Sequence, residues 1–151
     1  MNWQLALRVY LFLGPIEVLA AMAAFFFVLY TAGWTYGIDL VAHDPLYLQA
    51  TSACLTAIIV MQIANVYLCR SASRSLLVTG LSGNRLIMWG VLLEVALILL
   101  IDYTPWGNAL LDTSPVAGAV WLFIVPFAAG LVVLEELRKW VVRARQTAME
   151  G

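Results

Sequence analysis

Four long apolar runs, each long enough to cross a membrane, constrain the fold of this chain more than any other feature. Each run carries at most one charged residue in its interior, and the runs cover residues 9–34, 48–69, 86–103 and 115–134. A helix needs about 20 residues to cross the hydrocarbon of a bilayer. None of the runs alternates polar and apolar residues as a strand of a membrane barrel does. The sequence therefore predicts an all-α protein, an integral membrane bundle of four transmembrane helices.

The composition agrees with a lipid environment and excludes several classes of function. Hydrophobic residues make up 64% of the chain and charged residues 11%, whereas soluble domains carry about 25% charged residues. The net charge is −1 and no basic run occurs, so a lipid bilayer is the expected partner and nucleic acid is not. No soluble catalytic signature is present, and the single histidine, His43, excludes a histidine-based metal cluster. We expect no enzyme activity from this chain on its own and no cofactor in it.

The basic residues predict the orientation in the membrane. All eight flank one side of the four runs: Arg8, Arg70, Arg74, Arg85, Arg138, Lys139, Arg143 and Arg145. Loops that are rich in Lys and Arg stay in the cytoplasm. We therefore expect both termini and the loop between the second and third helices to be cytoplasmic, in a plasma or inner membrane. The chain is interpreted as one membrane domain, 1–151, with a charged cytoplasmic tail at 135–151.

Polar side chains inside the apolar runs are the candidate functional groups: Glu17, Gln62, Asn65 and Glu94. Glu17 and Glu94 lie nine residues from the arginine that flanks their helix, and Gln62 lies eight residues from its own. At 1.5 Å per residue these distances correspond to depths of roughly 12 to 14 Å. Asn65 shares a helix face with Gln62, one turn nearer the cytoplasm. We expect Gln62, Asn65 and Glu94 to converge between the second and third helices.

Two interpretations of these groups remain open from the residues alone. Carboxylate and amide oxygens suit hard cations or protons, which favours a cation site formed by Gln62, Asn65 and Glu94. Alternatively, the same groups bond one helix to another without binding anything. Glu17 is interpreted as a structural group or a candidate proton site. Small residues beside Glu17, and Gly90 below Glu94, are expected to let neighbouring helices approach closely.

Several motifs, in their order and spacing, give the chain a resemblance to a known family. They are Leu13-Gly-Pro-Ile-Glu17, Val60-Met-Gln-Ile-Ala-Asn65, Cys69-Arg-Ser71, Gly83-Asn-Arg85, Glu94, Tyr103-Thr-Pro105, Trp121 and Glu135-Glu-Leu-Arg-Lys139. Together they resemble the C-terminal membrane domain of the P-type cation-transporting ATPases, the class of the sodium/potassium and calcium pumps. The resemblance runs from about residue 7 to residue 145 and corresponds to the seventh to tenth transmembrane helices of that family.

The resemblance implies a function and a set of site residues. Gln62, Asn65 and Glu94 match positions where sodium pumps place side chains of an ion site. Asn65 departs from the aspartate of sodium/potassium pumps, and Gln62 from the glutamate of calcium pumps, so the transported ion stays open. The implied function is a support domain that braces the ion-carrying helices and contributes outer cation ligands. The remaining helices and the cytoplasmic domains of the pump are then its partners.

The sequence lacks the phosphorylated Asp-Lys-Thr-Gly motif of that family. A fragment of a pump or a subunit of a split pump is therefore the leading interpretation. The alternative is a stand-alone structural or regulatory membrane protein that binds a transporter. An independent proton or cation carrier that uses Glu17 and Glu94 is a third interpretation, against which the absence of an inverted repeat or a broken-helix pair counts.

Overall fold

The computed structural model describes residues 12–41, 43–69 and 84–150, with side chains up to residue 144. These residues form helices and no strand, and the helices are α1 Gly14–Thr31, α2 Pro45–Leu68, α3 Arg85–Tyr103, α4 Pro105–Leu111 and α5 Gly118–Glu150. All but α4 are long and apolar enough to cross a membrane, and in α5 the candidate span is Gly118–Ala144. The predicted all-α class with four membrane-spanning helices is confirmed.

Capping residues set the starts of two of these helices. The Asp44 side chain accepts a hydrogen bond of 2.8 Å from the Leu46 N–H, and Pro45 occupies the first turn. Asn84 accepts one of 2.9 Å from the Leu86 N–H in the same way. Such caps satisfy N–H groups that have no partner inside the helix. As a result α2 begins three residues before the apolar run at 48–69.

Helices α1, α2 and α5 share the apolar core. Small residues of α1 and α2 are buried together in it, among them Ala21, Ala24, Ala53 and Ala57. The rings of Phe27 and Phe123 stack at 4.2 Å between centroids and join α1 to α5. Close approach of α1 to a neighbour through small residues is therefore observed. No such approach is seen at Gly90 among the described residues, since outside the backbone of its own helix no atom lies within 4 Å of the position its Cβ would occupy. Close approach of a helix at Gly90 stays a prediction.

Two core clusters show how the helices run. One contains Leu13 from the start of α1 and Leu68 from the end of α2, and we call this end of the bundle the near end. The other contains Leu29 from the end of α1 and Ala50 from the start of α2, which define the far end. Val120, near the start of α5, belongs to the far-end cluster, and Leu131 to the near-end one. Helix α5 therefore runs parallel to α2 and antiparallel to α1.

Helix α5 is longer than a membrane requires. Its 33 residues extend over about 50 Å at 1.5 Å per residue, against a hydrocarbon thickness of about 30 Å. The excess lies at the near end and includes the charged residues from Glu135 onward. There Glu135 accepts two hydrogen bonds, of 2.7 and 2.9 Å, from the Arg138 guanidinium.

Helix α3 lies at the periphery and is held chiefly at the far end. Only 11% of the residues in its 18-residue apolar stretch are buried, against 33% for the matching stretch of α2. At its far end the Tyr103 hydroxyl donates to the Val116 carbonyl at 2.6 Å and accepts from the Trp121 indole N–H at 2.9 Å.

The short helix α4 follows α3 directly, in the connection between the third and fourth apolar runs. The Thr104 hydroxyl accepts a hydrogen bond of 3.1 Å from the Gly107 N–H and caps the helix. A Cβ at Gly107 would lie 2.5 Å from the Ile101 carbonyl oxygen. Only glycine allows the two backbones this separation, so α4 folds tightly back on the end of α3.

Candidate functional site

A side-chain hydrogen bond between two spans forms the centre of the candidate site. The Asn65 amide nitrogen on α2 donates to a carboxylate oxygen of Glu17 on α1. Both side chains are partly buried. The other end of the Asn65 amide, Oδ1, is buried and has no hydrogen-bond partner among the described residues. The site therefore offers one oxygen acceptor that still needs a donor or a cation.

Gln62 lies one turn away from Asn65 on α2 but faces out of the bundle. Its side chain is exposed, although α2 is one of the four candidate spans. Polar side chains within a bilayer avoid lipid and face protein or water. In a bilayer, the exposed Gln62 amide therefore requires water or protein beside it.

Glu94 lies in a shallow groove between α2 and α3. The groove has a volume of about 280 Å³, and apart from Glu94 its lining is apolar, with Val66 from α2 and Gly90, Leu93 and Leu97 among the residues from α3. Among the described residues no hydrogen bond joins Glu94 to Gln62 or Asn65. The convergence of the three predicted ligands on one cluster stays a prediction.

The chemistry available here is that of oxygen ligands from different helices. No group of three or more His, Cys, Asp or Glu side chains lies close enough to hold a metal ion within the described part of the chain. Two amides and one or two carboxylates supply only part of the six or so oxygen ligands that a hard cation takes. A cation at this site needs further ligands from water or from other protein segments.

A second polar cluster, at the far end, was missed by the sequence reasoning. Asp102 lies at the end of the third apolar run, 86–103, and it is fully buried beside Thr56 of α2. The sequence feature that could have drawn attention to Asp102 is its position one turn before Pro105, at the end of an apolar helix. That position does not distinguish an acid that points to water from one that points to a neighbouring helix.

Comparison with known proteins places these features in a family context. Residues 1–141 match the family model described as "Cation transporting ATPase, C-terminus". The chain is 25% identical, over 94% of its length, to a potassium-transporting ATPase alpha chain 2 of Oryctolagus cuniculus, of which it covers 15%. It is 29% identical, over 73% of its length, to a sodium/potassium-transporting ATPase subunit alpha of Hydra vulgaris, of which it covers 10%. It is also 29% identical, over 69% of its length, to a probable cation-transporting ATPase F of Mycobacterium bovis, of which it covers 11%.

Proposed function

Because the chain belongs to the family of C-terminal membrane domains of P-type cation-transporting ATPases, we propose that it braces the ion-carrying helices of such a pump. The further part of the proposal is that Gln62, Asn65 and Glu94 contribute outer ligands to a cation or a proton. The chain spans 15% or less of the curated relatives named above. The pump's other helices and its cytoplasmic domains are accordingly its proposed partners.

The observation that carries the proposal is the exposure of polar side chains on membrane-spanning helices. Gln62 is exposed on α2, and Glu94 on α3 is only partly covered. An ionised acid in lipid costs at least about 2.5 kcal/mol, and an amide in lipid also loses its hydrogen bonds. A protein surface with polar groups or an ion removes this cost, whereas lipid does not. The exposed amide and carboxyl therefore favour a docking face for other helices of a pump.

Asn65 supports the ligand role. Its amide nitrogen is engaged by Glu17, which fixes the orientation of the side chain and leaves Oδ1 as the remaining acceptor. A ligand whose second end is held by a hydrogen bond is oriented in advance for its ion. The direct test is the cation concentration that half-activates a pump carrying this domain, measured with and without the Glu94 carboxyl.

The stand-alone structural or regulatory protein is not favoured by the comparisons. The family model covers almost the whole chain and describes one part of a larger transporter. The decisive genetic observation is whether an Asp-Lys-Thr-Gly motif is encoded in frame before this sequence or in an adjacent reading frame.

We expect the purified chain to form no phosphoenzyme. The aspartate that the family phosphorylates lies in an Asp-Lys-Thr-Gly motif, and this sequence has none. The measurement is incubation of the chain in lipid with γ-labelled ATP, followed by acid precipitation and electrophoresis. A complete pump that carries the domain is the positive control. A hydroxylamine-sensitive labelled band from the chain alone contradicts the expectation.

We propose that the near end faces the cytoplasm, because in the sequence the eight basic residues stand next to the ends of the apolar runs that lie there. Segments that are rich in Lys and Arg stay in the cytoplasm. A chain with Cys54 and Cys69 replaced by serine and a single new cysteine tests this. With Thr35→Cys, in the exposed far-end loop, we expect labelling by a membrane-impermeant maleimide added to intact cells. With Arg74→Cys we expect labelling only after the membrane is opened. The reverse pattern contradicts the proposed orientation.

A further inference from the structure

A buried polar cluster joins three segments at the far end of the bundle. Asp102 of α3, Thr56 of α2 and Ser52 of α2 are all fully buried. The Thr56 hydroxyl oxygen lies 2.8 Å from Asp102 Oδ2 and 2.9 Å from the Ser52 carbonyl oxygen. The Ser52 hydroxyl accepts a hydrogen bond of 2.8 Å from the N–H of Ser114, in the segment that leads into α5.

The number of hydrogens in this cluster indicates the state of the Asp102 carboxyl. A threonine hydroxyl carries one hydrogen, and a backbone carbonyl carries none. If Thr56 donates its one hydrogen to the Ser52 carbonyl, a hydrogen lies between Thr56 and Asp102 only when the Asp102 carboxyl is protonated. If Asp102 is ionised, Thr56 must turn its hydrogen away from Ser52. The second carboxyl oxygen, Oδ1, then remains a buried charged acceptor with no donor among the described residues.

Among the described residues, no charged side chain forms an ion pair or a hydrogen bond with the Asp102 carboxyl. From α2, Thr56 contacts Asp102 and Ser52 contacts Thr56, and neither side chain is charged. The other acidic and basic side chains that the structure describes at the far end lie outside the candidate spans, and Asp39 among them is exposed. His43 and Asp112 are exposed, with His43 Nδ1 3.7 Å from Asp112 Oδ1. The Asp44 side chain caps α2. An isolated ionised carboxylate in such a setting is much less stable than the neutral acid.

We propose that Asp102 is a proton-binding site within the membrane, held as a neutral acid that donates its hydrogen bond to Thr56. Thr56 then donates to the Ser52 carbonyl, so every short contact in the cluster carries one hydrogen. The neutral acid fastens the far end of the peripheral helix α3 to α2, which belongs to the core. Loss of this proton makes Thr56 turn its hydrogen from the Ser52 carbonyl to the carboxylate. The second carboxylate oxygen then stays buried without a donor among the described residues, which weakens that attachment.

The unmodified chain provides the first test, because it has only four aspartates. Three of them, Asp39, Asp44 and Asp112, lie outside the candidate spans. The chain is produced with aspartate that carries a heavy carbon isotope in its carboxyl group, and is placed in phosphatidylcholine vesicles. We expect the infrared spectrum at neutral pH to show an isotope-shifted carbonyl band of a carboxylic acid. An isotope shift seen only in the carboxylate bands overturns the proposal.

Two substitutions on α2 give a matched comparison that does not alter the acid. Thr56→Val removes the hydroxyl that accepts the proposed hydrogen bond from Asp102. The isotope-shifted band is therefore expected to move to higher frequency. Thr51→Val, close by on the same helix, removes a hydroxyl that bonds only to carbonyls of its own helix, at 3.0 Å to Tyr47 and Leu48. It is expected to leave the band in place. Equal effects of the two variants, or no effect of Thr56→Val, overturn the assignment of the hydrogen bond.

Asp102→Asn identifies the source of the band. This variant retains a hydrogen-bond donor for Thr56 and no ionisable group, so we expect the band to disappear while the thermal midpoint in mild detergent is nearly kept. Persistence of the band assigns it to another aspartate and overturns the proposal. If the variant fails to fold, the comparison of Thr56→Val with Thr51→Val still decides.

Discussion

Replacing Asn65 with leucine is expected to lower the free energy of unfolding of the bundle by about 1–3 kcal/mol, because Glu17 loses its hydrogen-bond donor. The Asn65 amide is the donor that the structure shows for Glu17, and the bond links two spans of the core. Hydrogen bonds between neutral groups of membrane helices average only about 0.6 kcal/mol. The measured loss therefore also reports whether Glu17 is ionised. The measurement is the unfolding equilibrium in mixed detergent micelles.

Gln62→Leu is the matched control for Asn65→Leu. It makes the same kind of change on α2, one turn away, at an exposed side chain. We expect its effect to stay within about 0.5 kcal/mol, as for substitutions that break no contact. The double variant Glu17→Leu with Asn65→Leu should be more stable than Asn65→Leu alone, since no acid is left unpaired. Equal losses for Asn65→Leu and Gln62→Leu contradict the link between α1 and α2.

The membrane-spanning elements could be predicted from the sequence because one physical requirement decides them. A helix across a bilayer satisfies its own backbone groups and exposes apolar side chains, so long apolar runs are sufficient evidence. Hydropathy determines the ends of these helices less well. Helix α2 begins at Pro45 because the Asp44 side chain caps it, so the capping residue, and not the apolar run, marks its start. The length of α5 follows from helix-forming charged residues that continue beyond the apolar part.

The partners of the polar side chains could not be predicted from depth alone. Depth, counted from the flanking arginines, places Glu17, Gln62 and Glu94 at one level but does not say which helix faces which. Asn65 bonds Glu17 because α1 packs on α2 through small residues, whereas α3 lies at the periphery. Position around the helix decides the rest, since Asn65 turns into the bundle and Gln62, three residues before it, turns out.

Glu94→Ala in a complete pump that carries this domain is expected to raise the half-activating cation concentration about tenfold, equivalent to 1.4 kcal/mol of binding free energy. The reason is the loss of one carboxylate ligand from the proposed site. Phosphoenzyme formation at saturating cation is expected to be unchanged, because the phosphorylated motif lies outside these 151 residues. The readouts are cation-activated ATP turnover and the level of labelled phosphoenzyme.

Two further variants distinguish a ligand from a packing residue. Leu97→Ala enlarges the same groove on α3 without removing an oxygen, and its half-activating concentration is expected to match that of the unaltered pump. Glu94→Gln keeps an oxygen and removes the charge. If a metal cation binds, this variant should fall between the unaltered pump and Glu94→Ala, because a neutral oxygen is a weaker ligand than a carboxylate. If a proton binds instead, glutamine imitates the protonated acid, so cation affinity should be kept while the dependence of turnover on pH is lost. An unchanged affinity and an unchanged pH profile in Glu94→Ala contradict both forms of the site and leave Glu94 a residue of the helix interface.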